Sequence, residues 1–237
     1  MNLIKTEMKR TFKEALNYYP DYIVGLITDF LLLLVVINTE GNISEKVIGY
    51  IFWILVNGVM SEASLCISTE KQLGTLQNLM IRPYSIISII SVKTLVWFII
   101  NFVKSLIMIG IISVIFRINN IINPSFLYVV VLVCVGIMGI SYILAAFTLM
   151  FTKVASFVSV IGYLFLFLSG SIISIPKYLE YTNPLSYGVK YKLLQINQTS
   201  TIYDFLYLLI ICLAWYFIGF LIFKTVFAHS KSFKWSY

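Results

Sequence analysis

The chain has 237 residues, of which 60% are hydrophobic and 11% are charged, and its formal net charge is +7 at pH 7. Its mean hydropathy is +0.94, and it contains several apolar runs of about 20 residues, the length that a helix needs to cross a bilayer. These runs leave no room for a soluble catalytic domain of roughly 100 residues or more. The basic residues flank the apolar runs and form no single patch, so we expect no nucleic-acid partner.

The first 20 residues predict an amphipathic interfacial helix on the membrane surface. Its apolar stripe consists of Ile4, Met8, Phe12, Leu16 and Tyr19. Three lysines, each one position after a residue of the stripe, suit the anionic headgroups of membrane lipids. Pro20 then redirects the chain into the first apolar run.

Six apolar runs follow, and each predicts a transmembrane helix because backbone groups that face lipid must be satisfied within their own segment. The predicted spans are residues 22–37, 47–65, 86–116, 126–151, 154–175 and 205–227. The fold class is therefore an all-α polytopic membrane protein with six transmembrane helices. No repeat or linker divides the chain, so residues 1–237 are expected to form a single transmembrane domain.

The distribution of Lys and Arg predicts the orientation of these spans. With six spans both termini lie on one side, and that side holds eleven of the 17 basic residues against five on the other. Because basic residues tend to stay in the cytoplasm, we expect a cytoplasmic tail at 228–237 and an external loop at 176–203. The frequent Ile, Asn and Lys are typical of an AT-rich bacterial genome, which indicates the cytoplasmic membrane of a bacterium.

The sequence offers little for metal or covalent chemistry. The three cysteines have no C-x-x-C spacing, and His229 is the only histidine, so neither a metal site nor a histidine-based triad is expected. The chain also has no G-x-x-x-x-G-K-[ST] loop that could hold ATP phosphates. We therefore predict no catalytic residue and no cofactor in this chain.

A polar segment at 69–83 separates the second and third spans. Ser68 or Thr69 can cap the start of a helix there, Glu70 suits its first turn, and Pro83 favours its end. We expect one face of this helix to rest on the membrane or on the other spans through Leu73, Leu76, Leu79 and Met80. We expect the other face to point outward with Lys71, Gln72, Thr75, Gln77 and Asn78.

Residues 70–85 resemble the coupling-helix motif E-x-x-x-G-T-L-E-x-L-x-x-x-P of ATP-binding-cassette permeases of the type-2 exporter family. The matching positions are Glu70, Gly74, Thr75, Leu76, Leu79 and Pro83. The chain departs from the family at Gln77, where an acidic residue is usual, and at Leu73, where a basic residue is frequent. These departures concern the electrostatic contact with the partner.

The resemblance implies a permease subunit that is driven by separate ATPase subunits, which carry the ATP and Mg. It further implies a second permease copy, as a homodimer or heterodimer, and export of an amphipathic drug, peptide, antibiotic or lipid-like molecule. The residues to which it assigns contact with the ATPase are Glu70, Lys71, Gln72, Gly74, Thr75, Leu76, Gln77, Asn78 and Leu79.

The external loop resembles a second signature of the same family. Residues 175–179 and 183–187, with Pro176, Asn183 and Pro184, correspond to short external re-entrant helices that dip back toward the membrane.

Three ionisable residues fall inside or beside predicted spans. Asp29 and Lys104 lie at similar depth near the middle of the first and third spans, and Glu62 lies near the cytoplasmic end of the second. Because such groups cost roughly 2.5 to 3.5 kcal/mol to insert, we predict that Asp29 and Lys104 pair or face one polar cavity. All three are candidates for the transport pathway or its gating, while a purely structural pair and a solvated Glu62 stay open as alternatives.

Two other classes of function are alternatives to an exporter. A non-transporting accessory or immunity protein, or a membrane-embedded enzyme, is disfavoured because the acidic residues are scattered singly. A passive channel is disfavoured as well, because it would show a repeated pore-lining motif and the sequence contains none. An ATPase encoded by the adjacent gene would favour the exporter over both.

Overall fold

The computed structural model describes residues 2–74, 84–116, 124–151 and 155–230, and the regular secondary structure in these ranges is entirely α-helical. The helices are α1 (Asn2–Asn17), α2 (Tyr19–Ile37), α3 (Ile43–Gln72), α4 (Ile86–Phe116), α5 (Pro124–Met150), α6 (Ala155–Leu168), α7 (Lys177–Thr182), α8 (Pro184–Ile196) and α9 (Ile202–Ser230).

Five of these helices are long and apolar enough to cross a membrane: α2, α4, α5, α9 and the first part of α3, Ile43–Ser61. Together they show an all-helical, multi-pass membrane protein. The predicted total of six spans stays a prediction, because α6 has 14 residues. At 1.5 Å per residue it is about 21 Å long, which is shorter than a hydrocarbon core of about 30 Å.

The predicted fifth span is wrong at its end, because helix α6 stops at Leu168 instead of continuing to Ile175. Gly170 has a φ of 74°, which ends a helix readily because glycine has no Cβ. The chain then runs without helix to α7, with Ser169 and Ser171 buried. Irregular backbone at membrane depth is tolerated where protein surrounds it, and the Ser169 hydroxyl donates to Leu166 O at 2.7 Å.

Helix α3 forms the centre of the bundle and packs against α2, α4, α5, α6 and α8. Small residues allow the close approach of its neighbours. A Cβ on Gly58 would lie 2.2 Å from Nδ2 of Asn101 in α4, and a Cβ on Gly49 would lie 2.7 Å from Ser169 O. Both distances are below any real contact of a Cβ, so α3 depends on glycine at these two crossings.

Helices α5 and α9 form the second tight pair of the bundle. A Cβ on Gly139 of α5 would lie 2.1 Å from Trp215 O, and one on Gly219 of α9 would lie 1.9 Å from Gly139 O. The two backbones therefore touch where these glycines meet, which is the small-residue packing common between membrane helices.

Helix α1 contacts α4 through its polar side, where Glu7 and Thr11 are buried. The apolar stripe points away from the protein, and Phe12 in its middle is 66% exposed. This arrangement suits an apolar face turned toward lipid, although the position of α1 in a membrane stays a prediction. Pro20 lies in the first turn of α2, where a missing backbone N–H costs nothing.

Candidate functional site

Helix α3 ends at Gln72, within the motif. Leu73 N–H donates to Thr69 O at 2.9 Å, Gly74 N–H donates to Lys71 O at 3.2 Å, and Gly74 has a φ of 68°. This is a glycine C-cap, in which a residue in the left-handed region satisfies the last carbonyls of a helix. The motif position therefore favours glycine for a structural reason, because a residue with a side chain would be strained in that conformation.

The predicted start of a new helix at Ser68 or Thr69 is wrong. Both residues lie in the last turns of α3, and the Thr69 hydroxyl donates back to Leu65 O at 2.8 Å instead of capping a helix start. No glycine or proline lies between Gly58 and Gly74, so α3 continues past Ser68 and Thr69. Leu73 does not pack on the other described helices, because it is 75% exposed, and its contact with the membrane stays a prediction.

Part of the predicted ATPase-coupling set lies outside the described residues. This part consists of Thr75, Leu76, Gln77, Asn78 and Leu79, and their roles stay predictions. The described members are Glu70, Lys71 and Gln72 in the last turn of α3 and Gly74 at its cap.

Lys71 contacts the membrane domain, although we expected it to point outward. Its ammonium donates to Leu149 O at 2.9 Å, in the last turn of α5, and burial lowers its pKa. A cation at a helix C-terminus satisfies orphan carbonyls and the negative end of the helix dipole. Lys71 therefore ties the end of α3 to the end of α5.

Lys46 makes the matching contact at the other end of α3. This buried side chain donates to Thr39 O and, at 3.3 Å, to Ile37 O at the C-terminal end of α2. In the sequence Lys46 stands one position before the predicted second span at 47–65 and has no evident partner, because only the fold brings the end of α2 over the first turn of α3. The two lysines fasten α3 to α2 at one end and to α5 at the other.

Asp29 and Lys104 form an ion pair between α2 and α4. Lys104 Nζ lies 2.5 Å from Asp29 Oδ2, and each side chain is about one fifth exposed. The pairing predicted from their depth in the spans is therefore confirmed, whereas a role in transport is a further step. The backbone carbonyl of Asp29 also accepts a hydrogen bond from the Tyr50 hydroxyl at 2.7 Å. Glu62 lies on α3, and its side chain is outside the described residues.

A polar cavity of about 300 Å³, here called the inner cavity, lies between α2, α3 and α6, and Asp29 forms part of its wall. Asn57 and Ser61 of α3 and Tyr163 of α6 add polar groups. A Cβ on Gly162 would lie 2.4 Å from Asn57 Oδ1, so this glycine leaves room for the amide. Sequence reasoning missed this cavity because its walls come from three separate spans.

The three residues of the external signature take structural positions. Pro176 is the N-cap of α7, the Asn183 side chain accepts from Leu185 N–H at 2.9 Å to cap α8, and Pro184 lies in the first turn of α8. Asparagine is preferred at the N-cap and proline at the first helical position, as Asn183 and Pro184 are here. The placement of α7 and α8 relative to a membrane stays a prediction.

A cluster of tyrosines, which sequence reasoning did not find, fixes α7 and α8 against α9. The rings of Tyr187 and Tyr207 are 4.7 Å apart, and Tyr207 donates to the carbonyl of Tyr181 at 2.9 Å. Burial raises the pKa of Tyr187, and an ion pair of 3.0 Å joins Lys190 to Glu180. Neutral, hydrogen-bonded tyrosines suit a half-apolar environment.

The chain was compared with known protein families and with curated proteins. The family model described as ABC-2 type transporter matches residues 1–198, a range that includes the α3 terminus, the Asp29–Lys104 pair and the inner cavity. The comparison with curated proteins finds no match. The matched range covers most of the 237 residues, so the chain is a membrane component of an ABC transporter and belongs to the ABC-2 type transporter family.

Proposed function

We propose that this chain is the membrane subunit of an ATP-driven exporter and that separate ATPase subunits bind Mg and ATP. The structure at the C-terminal end of α3 is the main support for this proposal. Gly74 ends α3 at the point where the segment that resembles a coupling helix continues, and Lys71 fastens that end to α5. A force applied beyond Gly74 therefore acts on two helices at once.

The central position of α3 supports a lever mechanism. Ser61 on the wall of the inner cavity lies 13 residues before Gly74, a rise of about 20 Å along a helix. Closure of the ATPases on ATP would move the α3 terminus and, through a rigid helix, the wall of the inner cavity. The substrate then moves, because its contacts with the cavity wall differ before and after closure of the ATPases.

The inner cavity is proposed as one half of the pathway. It opens at the surface of the chain, and its carboxylate, amide and hydroxyl groups lie among apolar walls, a lining suited to an amphipathic substrate. A second permease copy, identical or related, would close it. The paired Asp29 and Lys104 would gate the cavity, since a charge pair in a span is costly unless it is used or well matched.

The distribution of basic residues supports an orientation with cytoplasmic termini. In that orientation the α3 terminus faces the cytoplasm, where ATP is present, and α7 and α8 lie outside. The exposed apolar stripe of α1 would then rest on lipid at the cytoplasmic surface of a bacterial membrane.

The subunit composition tests this proposal. The tagged chain would be co-expressed with the ATPase of the adjacent gene, extracted in mild detergent, and its mass measured by single-molecule mass photometry. We expect a complex of two permease and two ATPase copies. A chain that purifies alone, with the ATPase folded and soluble in the same lysate, would contradict the proposal.

A further inference from the structure

A second cavity is lined by Lys104, the partner of Asp29 in the ion pair. This outer groove, of about 460 Å³, is lined by Tyr18, Asp21, Tyr22, Gly25, Trp97 and Lys104. Its volume falls within the range of small-molecule sites, which are mostly apolar with a few polar groups. It runs from the junction of α1 and α2 to the ion pair and uses no residue of the inner cavity.

One face of α2 carries two carboxylates along this groove. Asp21, Gly25 and Asp29 follow at intervals of four residues, so they lie in a row with one helical turn between neighbours. Lys104 Nζ lies at the inner end of the row, 2.5 Å from Asp29 Oδ2 and 3.6 Å from the position of a Cβ on Gly25. Asp21 at the outer end forms no ion pair with any described residue. The row thus has two negative charges for one positive charge.

Three aromatic residues line the same groove as the outer carboxylate. The rings of Tyr22 and Trp97 stack with their centroids 6.4 Å apart and an interplanar angle of 11°. Tyr18, at the mouth of the groove, is 63% exposed. A carboxylate combined with aromatic faces is the pattern that recognises organic cations, because the ring faces are negative and the carboxylate supplies the counter-charge.

We propose that the outer groove binds an amphipathic organic cation, with the cationic centre beside Asp21 and the rings of Tyr22 and Trp97. An anionic ligand would meet the excess negative charge of the row. A bound cation at Asp21 lies about two helical turns, roughly 12 Å, from Asp29. Asp29 lines the inner cavity, and its ion-pair partner Lys104 lines the outer groove. The groove would capture the substrate before it reaches the inner cavity; this step rests on the proposed export function, whereas binding does not.

Binding to the isolated chain in lipid nanodiscs tests the proposal without the ATPase. The probes are tetraphenylphosphonium and tetraphenylborate, which have nearly the same shape and opposite charge, and empty nanodiscs correct for partition into lipid. We expect saturable binding of the phosphonium alone. Equal saturable binding of the borate, or no saturable binding of the phosphonium, would overturn the proposal.

Substitutions then locate the site. Asp21→Asn should weaken phosphonium binding about tenfold, equivalent to about 1.4 kcal/mol, and Trp97→Leu about fivefold. Glu40→Gln removes the same charge from an exposed residue beyond the other end of α2 and should leave binding unchanged. Size-exclusion profiles confirm that each variant is folded. Wild-type affinity in folded Asp21→Asn would overturn the proposal even if ATP-driven transport were established, and intact binding without ATPase coupling would contradict only the proposed function.

Discussion

Removing either partner of the Asp29–Lys104 pair should destabilise the protein, and removing both should cost little more than removing one. Asp29→Asn leaves the Lys104 ammonium without its counter-charge inside the bundle, and Lys104→Met does the same to the Asp29 carboxylate. The double variant Asp29→Asn with Lys104→Met leaves no uncompensated charge. The free energies of unfolding of these three variants and the wild type form a double-mutant cycle.

The geometry sets the expected size of the coupling. Two unit charges 2.5 Å apart attract by about 7 kcal/mol at an effective dielectric constant of about 20. The desolvation of each ion offsets several kcal/mol of this attraction, and the exposure of about one fifth admits screening by water. Net values for hydrogen bonds to charged groups are about 1.5 to 3 kcal/mol. We therefore expect a coupling energy of about 2 kcal/mol, and a loss of about 2 to 3 kcal/mol in each single variant.

The assay is reversible unfolding in mixed micelles with an increasing fraction of sodium dodecyl sulfate, followed by tryptophan fluorescence. The Lys190–Glu180 pair is a matched control, because its separation is 3.0 Å and its side chains are exposed to nearly the same extent as those of Asp29 and Lys104, but it joins α8 to α7, outside the candidate spans. Its cycle should give about 0 to 1 kcal/mol, as ion pairs that are screened by water do. Equal coupling energies in the two cycles would refute the reasoning that the span environment strengthens the α2–α4 pair.

Three further predictions concern packing and helix ends. Gly139→Leu should lower the free energy of unfolding by about 3 kcal/mol or prevent folding, because the new side chain would meet the α9 backbone. The control Gly110→Leu should change the unfolding midpoint little, because no atom lies within 4 Å of the added Cβ. Lys71→Met should lower stability by about 1 kcal/mol and Lys71→Arg by less, since arginine can still donate to the end of α5; equal loss in both would argue against capping. Thr201→Val removes the hydroxyl that bonds Asp204 at 2.7 Å at the start of α9 and should cost about 1 kcal/mol, seen as faster hydrogen exchange in that first turn alone.

The helical class and the Asp29–Lys104 pair could be predicted from sequence, because long apolar runs and the cost of charges in lipid each leave few solutions. The extent of α3 past Thr69 could not, since capping residues also occur inside helices and only the fold shows which carbonyl Thr69 bonds. The early end of α6 could have been predicted from Ser169, Gly170 and Ser171, because such a sequence typically breaks a helix. The apolar residues on both sides favoured a longer span instead. Contacts between helices that are distant in sequence, such as the contact of Lys71 with the end of α5, depend on how the helices pack. The spacing of residues along the chain gives no signal for them.

The two ends of the proposed lever, the α3 terminus and the inner cavity, can be tested separately. The cap at Gly74 and the contact of Lys71 concern one end of α3, whereas the inner cavity lies about 20 Å further along the helix. A variant that disturbs the cap alone therefore separates coupling from substrate binding. Gly74→Val serves this purpose, because a β-branched residue is strained at a φ of 68°.

ATP hydrolysis by the reconstituted complex tests the central claim most directly. The ATPase of the adjacent gene would be assayed in proteoliposomes alone, with the wild-type chain, with Gly74→Val and with the control Gly110→Val. We predict that the wild-type chain and Gly110→Val change the hydrolysis rate of the ATPase and that Gly74→Val abolishes this change while the chain stays folded. A hydrolysis rate that is the same with and without the wild-type chain would contradict the account.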